Sequence, residues 1–268
     1  MNLGFAGDRD VAVSVLAFLI EQGVRPRVLL VPELARASHA DQLLALCPHL
    51  QRGQVLEGRE FARPEGVAEL RSLALDIIVG VHFPYVVPRN VLELCRIGFL
   101  NLHPAFLPYN RGWHTPSWAI LEGTPAGATL HFMSEGVDAG DIIHQKVLEV
   151  SPGDTAHTLY QKLKSLELEV FKEAWPSLSS GSFRRLPQSA SDGTCHKRSE
   201  LLSDCIRRID LDAPTTAREL IRRLRALTTN RIDEAAYYVV GGRCYCLQVT
   251  IKEEAPGPSE QAGGRIPS

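Results

Sequence analysis

Short continuous apolar runs alternate with helical periodicity along the first half of the chain. Asn2–Ala6 and Val28–Val31 are strand-type runs, and between them Asp10–Glu21 sets Val11, Val15, Leu16 and Leu19 on one helical face. Helical patterns follow over Ala40–Leu46 and Pro64–Leu73. Leu75–Val81 is the clearest buried strand, Val91–Cys95 predicts a short helix, and Gly98–Asn101 predicts a further strand. This alternation predicts an α/β fold, a mostly parallel sheet flanked by helices. Ala128–Met133 and Ile142–Val150 add two strands, and Thr155–Trp175 a long helix capped by Asp154 or Thr155.

The pattern changes after Trp175. Pro176–Gly193 is rich in Ser, Pro and Gly and reads as a connection. Thr215–Leu227 predicts a helix with Leu220, Ile221, Leu224 and Leu227 on one side. Arg218, Arg222 and Arg225 form a basic stripe opposite, read as a solvated face with a diphosphate contact as the alternative. Ala235–Val240 and Arg243–Ile251 flank Gly241-Gly242, a two-residue hairpin signal. A small C-terminal helix-plus-β-hairpin unit of this kind cannot bury a good core alone, so it should pack on the main domain or on a second subunit. The expected boundaries are a main domain over 1–180, a connection over 181–193, the small unit over 194–252 and a Pro/Gly-rich disordered tail over 253–268.

Composition narrows the classes. The 268 residues carry a formal net charge of −2, which argues against a nucleic-acid partner gripped over the surface. Met1-Asn2-Leu3-Gly4-Phe5 lacks a basic leader pattern, and no apolar run reaches membrane-spanning length. A cytoplasmic protein without a membrane partner is expected. The six cysteines form no zinc-type set and should be free and mostly buried. Gly4 and Gly7 lack the G-x-G-x-x-G spacing, and Asp8 would repel a pyrophosphate, so NAD is not expected.

Candidate chemistry concentrates between Gly98 and Gln145. Asn101 and His103 stand at the C-terminal end of a predicted strand, where ligands of such sheets bind, and share one side of the extended chain. Asp138 lies in a glycine-rich turn, Gly136-Val137-Asp138-Ala139-Gly140-Asp141. An amide that donates to an oxyanion, an imidazole that accepts a proton and a carboxylate that tunes it suit acyl transfer. A formamide-type carbonyl attacked by an amine can be activated by hydrogen bonds alone, so no metal is expected. His39, His49, His131, His144, His157 and His196 show no partner pattern and read as ordinary core or surface residues.

Asn101-Leu102-His103-Pro104, Leu107-Pro108-Tyr109-Asn110-Arg111-Gly112, Trp118-Ala119-Ile120, Gly127-Ala128-Thr129 and the Asp138 turn follow the order and approximate spacing of one family. The chain resembles the folate-dependent formyltransferases. The resemblance implies a Rossmann-like catalytic domain, N10-formyltetrahydrofolate as formyl donor, and Asn101, His103 and Asp138 as catalytic residues. It sets the pterin between His82, Phe83, Pro84, Tyr85 and Val86 on one side and Gly136, Val137, Ala139, Gly140 and Asp141 on the other, held largely by main chain. His82 departs from the small or tyrosine-like residue expected there, and a partly exposed loop histidine is the competing reading. Tyr109, Asn110 and Arg111 are candidate acceptor contacts, Arg111 for a diphosphate.

Three acceptor classes differ outside this core. Methionyl-tRNA formyltransferases carry a larger, basic C-terminal domain, and glycinamide ribonucleotide formyltransferases a glycine-serine loop that Gly7-Asp8-Arg9 does not match. The chain is most similar to sugar N-formyltransferases, including Thr194-Cys195-His196-Lys197, Ile209-Asp210-Leu211 and Leu224-Arg225-Ala226-Leu227-Thr228. That likeness implies a nucleotide-linked amino deoxysugar as substrate, a role in surface-polysaccharide (lipopolysaccharide O-antigen) biosynthesis, and a homodimer built through the C-terminal unit. Hydroxyornithine-type amino acids and methionyl-tRNA stay open as acceptors. A non-catalytic folate- or nucleotide-binding protein is disfavoured, because it would be free to lose Asn101, His103 and Asp138.

Overall fold

A strand covered on both faces has no polar alternation, and all five residues of β1 (Leu3–Gly7) are buried. The computed structural model describes residues 1–189 and 192–254; the predicted tail beyond Glu254 lies outside them. After β1 come α1 (Arg9–Glu21), β2 (Val28–Val31), α2 (Ala40–Leu46), β3 (Val55–Glu57), α3 (Pro64–Ser72), β4 (Ile77–Val81), α4 (Arg89–Leu92) and β5 (Gly98–His103). Then follow β6 (Arg111–Gly112), α5 (Thr115–Glu122), β7 (Ala126–Phe132), β8 (Ile142–Leu148) and α6 (Ala156–Ser180). Seven strands form one sheet in the order β3-β2-β1-β4-β5-β7-β8. β1 to β5 run parallel, and β7 pairs antiparallel with both β5 and β8. The expected mostly parallel sheet is present.

Period-two alternation sends residues to two cores. On one face Phe5, Val79, Leu100 and Leu102 meet Leu16 of α1 and Leu163 and Phe171 of α6. On the other, Leu30, Ile78 and Phe99 pack with Phe61, Leu70 of α3 and Val91 of α4. This second core ends at Phe99. The next positions of β5 with the same parity, Asn101 and His103, are polar and pair with His131 and Thr129 of β7. The polar cluster thus occupies the stretch of sheet that the helices leave uncovered.

Several elements differ from expectation. α4 starts at Arg89 and ends at Leu92, ahead of the predicted Val91–Cys95; Pro88 is its extended N-cap, and the Pro88 carbonyl accepts from the Val91 and Leu92 N–H groups. β3 and α5 went unpredicted: one is too short to show alternation, the other carries its apolar residues as a consecutive cluster. α6 continues past Pro176 to Ser180 and stops at Gly181, whose φ of +73° is left-handed. There Gly181 N–H donates to Leu178 O and Ser182 N–H to Ser177 O, closing the helix. At the other end Thr155 accepts from Thr158 N–H, one of the two caps expected.

The C-terminal part contains β9 (Cys195–His196), α7 (Arg198–Leu201), α8 (Asp204–Arg207), α9 (Ala217–Ala226), β10 (Ala236–Val240) and β11 (Arg243–Leu247). Gly241 and Gly242 have φ of +56° and +73°, as a two-residue hairpin turn requires. Leu201, Leu227 and Ala236 pack on Trp118 of α5, so the unit is seated on the main domain. The basic stripe is not wholly solvated: Arg225 donates to the carbonyls of Asp154 and Ser151, while Arg222 pairs with Glu219. Ile221, on the predicted apolar side of α9, is exposed, as are Val239, Val240 and Tyr245 of the hairpin. The cysteines are free, but only Cys47 and Cys95 are buried; Cys195, Cys205, Cys244 and Cys246 lie in the thin C-terminal part and are exposed.

Phe171 is fully buried between Phe18 and Trp175. Phe171→Ala should cost about 3–5 kcal/mol of stability, read from urea unfolding midpoints.

Candidate active site

β5 presents Asn101 and His103 on one side, and antiparallel pairing sets His131 of β7 directly opposite Asn101. The fourth member, Asp138, reaches them from the turn between β7 and β8. It adopts φ +46°, a left-handed conformation that Asp tolerates better than most residues. Gly140 lets the turn close: a Cβ there would sit 1.9 Å from the Phe132 carbonyl. The structure therefore brings together the three residues expected from sequence and adds His131, which was read as an ordinary histidine. The available signal was a lone imidazole inside the apolar run Ala128–Met133.

The hydrogen bonds assign roles to each nitrogen. His131 Nδ1 lies 2.8 Å from the Phe132 carbonyl and so carries the proton. Its Nε2 then accepts from Asn101 Nδ2 at 3.3 Å, and the same amide nitrogen donates to Asp138 Oδ1 at 3.2 Å. Asp138 Oδ2 accepts from the Gly112 N–H at 2.9 Å and lies 3.5 Å from His103 Nε2. That nitrogen is 3.3 Å from the Asn110 carbonyl, so Nε2 carries its proton and Nδ1 keeps the lone pair.

Burial alone would raise the Asp138 carboxyl. His103, His131, the Gly112 N–H and the Asn101 amide outweigh it and hold the group below its usual 3.8. Burial pushes the His131 imidazole down to about 4, with the Asp138 charge opposing and His103 reinforcing that shift. The site at neutral pH is a carboxylate flanked by a neutral, hydrogen-bond-accepting His131.

Residues 104–112 cover the cluster. Thr129 Oγ1 donates to the Ala105 carbonyl at 2.7 Å and accepts from Leu107 N–H at 3.2 Å. Tyr109 is half-buried. Asn110 is buried at φ +56°, with its amide donating to Thr124 Oγ1. Arg111 is also buried: Nε and Nη2 donate to Gln188 Oε1 at 3.1 and 2.8 Å, and Nη2 to the Ser189 carbonyl. Asn110 and Arg111 were expected to contact the acceptor. Both side chains are committed inside the protein as supports of this loop.

The two segments expected to flank the donor both lie beside the cluster's strands. After β4, Phe83 and Tyr85 turn inward onto Phe61, while Pro84 and Val86 face out. His82 is not the partly exposed loop histidine considered above. At φ +53° it turns its ring into the protein, 2.8 Å from Glu167 of α6, a fully buried carboxylate. In the second segment Gly136 and Val137 are exposed, and Ala139, Gly140 and Asp141 fold back toward the sheet. Val86 and Val137, 79% and 57% exposed, leave apolar surface on the two segments. Among the described residues, no group of three or more His, Cys, Asp or Glu is arranged to hold a metal ion, and no helix is long and apolar enough to cross a membrane.

With this geometry in view, comparison with known proteins is specific. The formyl transferase family matches residues 31–175, and the N-formyltransferase dimerization C-terminal domain matches residues 203–253. A methionyl-tRNA formyltransferase of Myxococcus xanthus is 34% identical over 245 residues, covering 89% of this chain and 75% of that one. A dTDP-4-amino-4,6-dideoxyglucose formyltransferase of Mycobacterium bovis is 29% identical over 192 residues, covering 72% and 80%. In fold, a sugar N-formyltransferase from a Shewanella species superposes with a TM-score of 0.79 at 21% identity, covering 95% of this chain and 99% of that one. The chain belongs to the formyl transferase family, and it is a formyl-transferring enzyme.

A buried imidazole held near 4 binds its proton in the unfolded chain first, from about 6.5 downward. Its contribution to stability is complete above pH 6.5 and is lost as pH falls toward 4. The full span is on the order of 3 kcal/mol at about 1.4 kcal/mol per pKa unit. Thermal melts of wild type and His131→Gln should therefore diverge most near pH 7 and converge toward pH 4–5. Parallel melting curves across this window would show that His131 is not the linked group.

Proposed function

We propose that this protein is an N-formyltransferase that moves a formyl group from N10-formyltetrahydrofolate to the amine of a nucleotide-linked amino deoxysugar. The convergence of Asn101, His103 and Asp138 supports formyl transfer to an amine. The small C-terminal unit carries the choice of acceptor: it holds three short helices and one hairpin, and residues 203–253 match a dimerization domain. The proposed organisation is a catalytic domain over 1–180, a connection over 181–193 and a dimerising unit over 194–252. The proposed setting is the cytoplasm, in the assembly of a surface polysaccharide such as a lipopolysaccharide O-antigen.

N10-formyltetrahydrofolate would supply the electrophilic formyl carbon; as its bond to N10 breaks, the electron pair stays on N10, which takes up the proton that His103 has received from the amine, and tetrahydrofolate leaves. His103 takes a proton from the attacking amine at Nδ1, while its Nε2–H faces the Asp138 carboxylate, which stabilises the imidazolium that forms. Asn101 Nδ2 rests on two long hydrogen bonds, 3.2 and 3.3 Å, and can turn one of them toward a developing oxyanion. Val86 and Val137 offer the apolar surface that fits the donor's rings.

A second reading, methionyl-tRNA as acceptor, is favoured by the 34% identity to the Myxococcus xanthus enzyme. Salt separates the two. A tRNA acceptor neutralises many phosphates and its affinity falls steeply with salt, whereas a sugar nucleotide presents only a diphosphate. Assays with both acceptors at low and high salt should show turnover of a nucleotide-linked amino sugar with shallow salt dependence and no formylation of the tRNA. Efficient, salt-sensitive formylation of methionyl-tRNA would replace the acceptor.

His103→Asn should lower kcat by about 10²-fold or more, with acceptor binding changed far less. Turnover above half of wild type would remove His103 from the mechanism. Sedimentation should show a two-fold dimer at micromolar concentration, weakened by Ile221→Glu on the exposed apolar side of α9; a monomeric wild type would contradict this.

A further inference from the structure

The connection after α6 is more than a tether, because it makes backbone and side-chain contacts with both loops of the site. Leu186 exchanges two backbone hydrogen bonds with Ile142 at the start of β8. Thr194 Oγ1 accepts from Asn110 N–H, and β9 pairs with β6, whose Gly112 N–H holds Asp138. Between them Gln188 uses both ends of its amide. Its Nε2 donates to the carbonyls of Asp138 and Gly140 at 2.9 and 2.6 Å, and its Oε1 accepts twice from Arg111.

We propose that Gln188 is a positioning residue for Asp138, clamped by Arg111, so that the connection completes the reaction centre. This rests on the reading of Asp138 as the carboxylate of that centre. The Asp138 turn is left-handed, and residues 134–137, which lead into it, are exposed, so the turn needs an outside hold. Gln188 supplies that hold at the two carbonyls on either side of Ala139. The Arg111 guanidinium, donating twice to Oε1, polarises the Gln188 amide toward stronger donation. It also explains why a buried arginine stands in a loop otherwise suited to meet substrate. With the clamp in place, the carboxylate stays within reach of Gly112, Asn101, His103 and His131. Gln is required rather than Glu, since a carboxylate would face two carbonyl oxygens with no proton to give.

The test uses the full-length protein with Gln188→Glu, which keeps the Arg111 contact, and Gln188→Met, which keeps the volume without polar atoms. Each is assayed with N10-formyltetrahydrofolate and the best acceptor, for kcat, KM and the pH dependence of kcat. Circular dichroism and melting temperature measure the folded fraction. Per folded molecule, both variants should lose at least 10-fold in kcat with acceptor KM changed less than three-fold. The acid limb of the profile should shift, because Asp138 no longer keeps its donors, Gly112, Asn101 and His103, in register. Wild-type kcat and profile in either folded variant would overturn the proposal. So would a loss matched by the unfolded fraction with an unmoved profile, which marks a structural contact only. His103→Asn, run alongside, distinguishes the failures. If it remains active, the reading of the centre is wrong; if it is inactive while the Gln188 variants are normal, only the clamp is wrong.

Discussion

A charged carboxylate with little access to water must be surrounded by hydrogen-bond donors, and the geometry around Asp138 follows from that requirement. One oxygen takes the Gly112 N–H and faces His103; the other takes the Asn101 amide and faces His131. Removing any one donor leaves part of a buried charge uncompensated. Asn101 and His103 are therefore held both by the sheet and by the carboxylate they serve. The same charge favours the Nε2–H tautomer of His103, leaving the other ring nitrogen to accept a proton.

The fold supplies the neighbours of this carboxylate from elements far apart in sequence. β5 and β7 bring Asn101, His103 and His131 into register, the 104–112 loop brings Gly112, and the turn before β8 brings Asp138 itself. Helices cover the remaining sheet on both sides. The helix-bearing second core ends at Phe99, and the polar residues begin at Asn101. A site at the C-terminal edge of a parallel sheet is the expected place for ligands, and here the gap in helical cover opens it. Leu186, Gln188 and the pair Cys195–His196 then bond to the same loops.

Much of this was legible from the residues. Continuous apolar runs located β1, β2 and β4, and the helical period located α1 and α2 to within a residue. Asn101, His103 and Asp138 were each visible beside turn-forming residues, and the family pattern joined them. His131 was not, because its partner is fixed by strand register, which no local spacing encodes. Arg111 looked like a substrate contact because arginines near such loops often meet anions; its burial against Gln188 depends on a connection that sequence treats as featureless. His82 likewise looked like a loop residue, since nothing nearby announces a buried Glu167 some 85 positions later.

The central claim is that Asp138 is an ionised carboxylate at the heart of the site at every pH where the enzyme works. Its side-chain carbon can be followed by carbon-13 NMR in protein labelled at aspartate, with Asp138→Asn used to assign the signal. The account predicts a carboxylate shift that is unchanged from pH 8 to pH 5, with protonation only below the ordinary value of 3.8. A titration with its midpoint above pH 5 would mean a neutral acid beside His103 and would contradict the account.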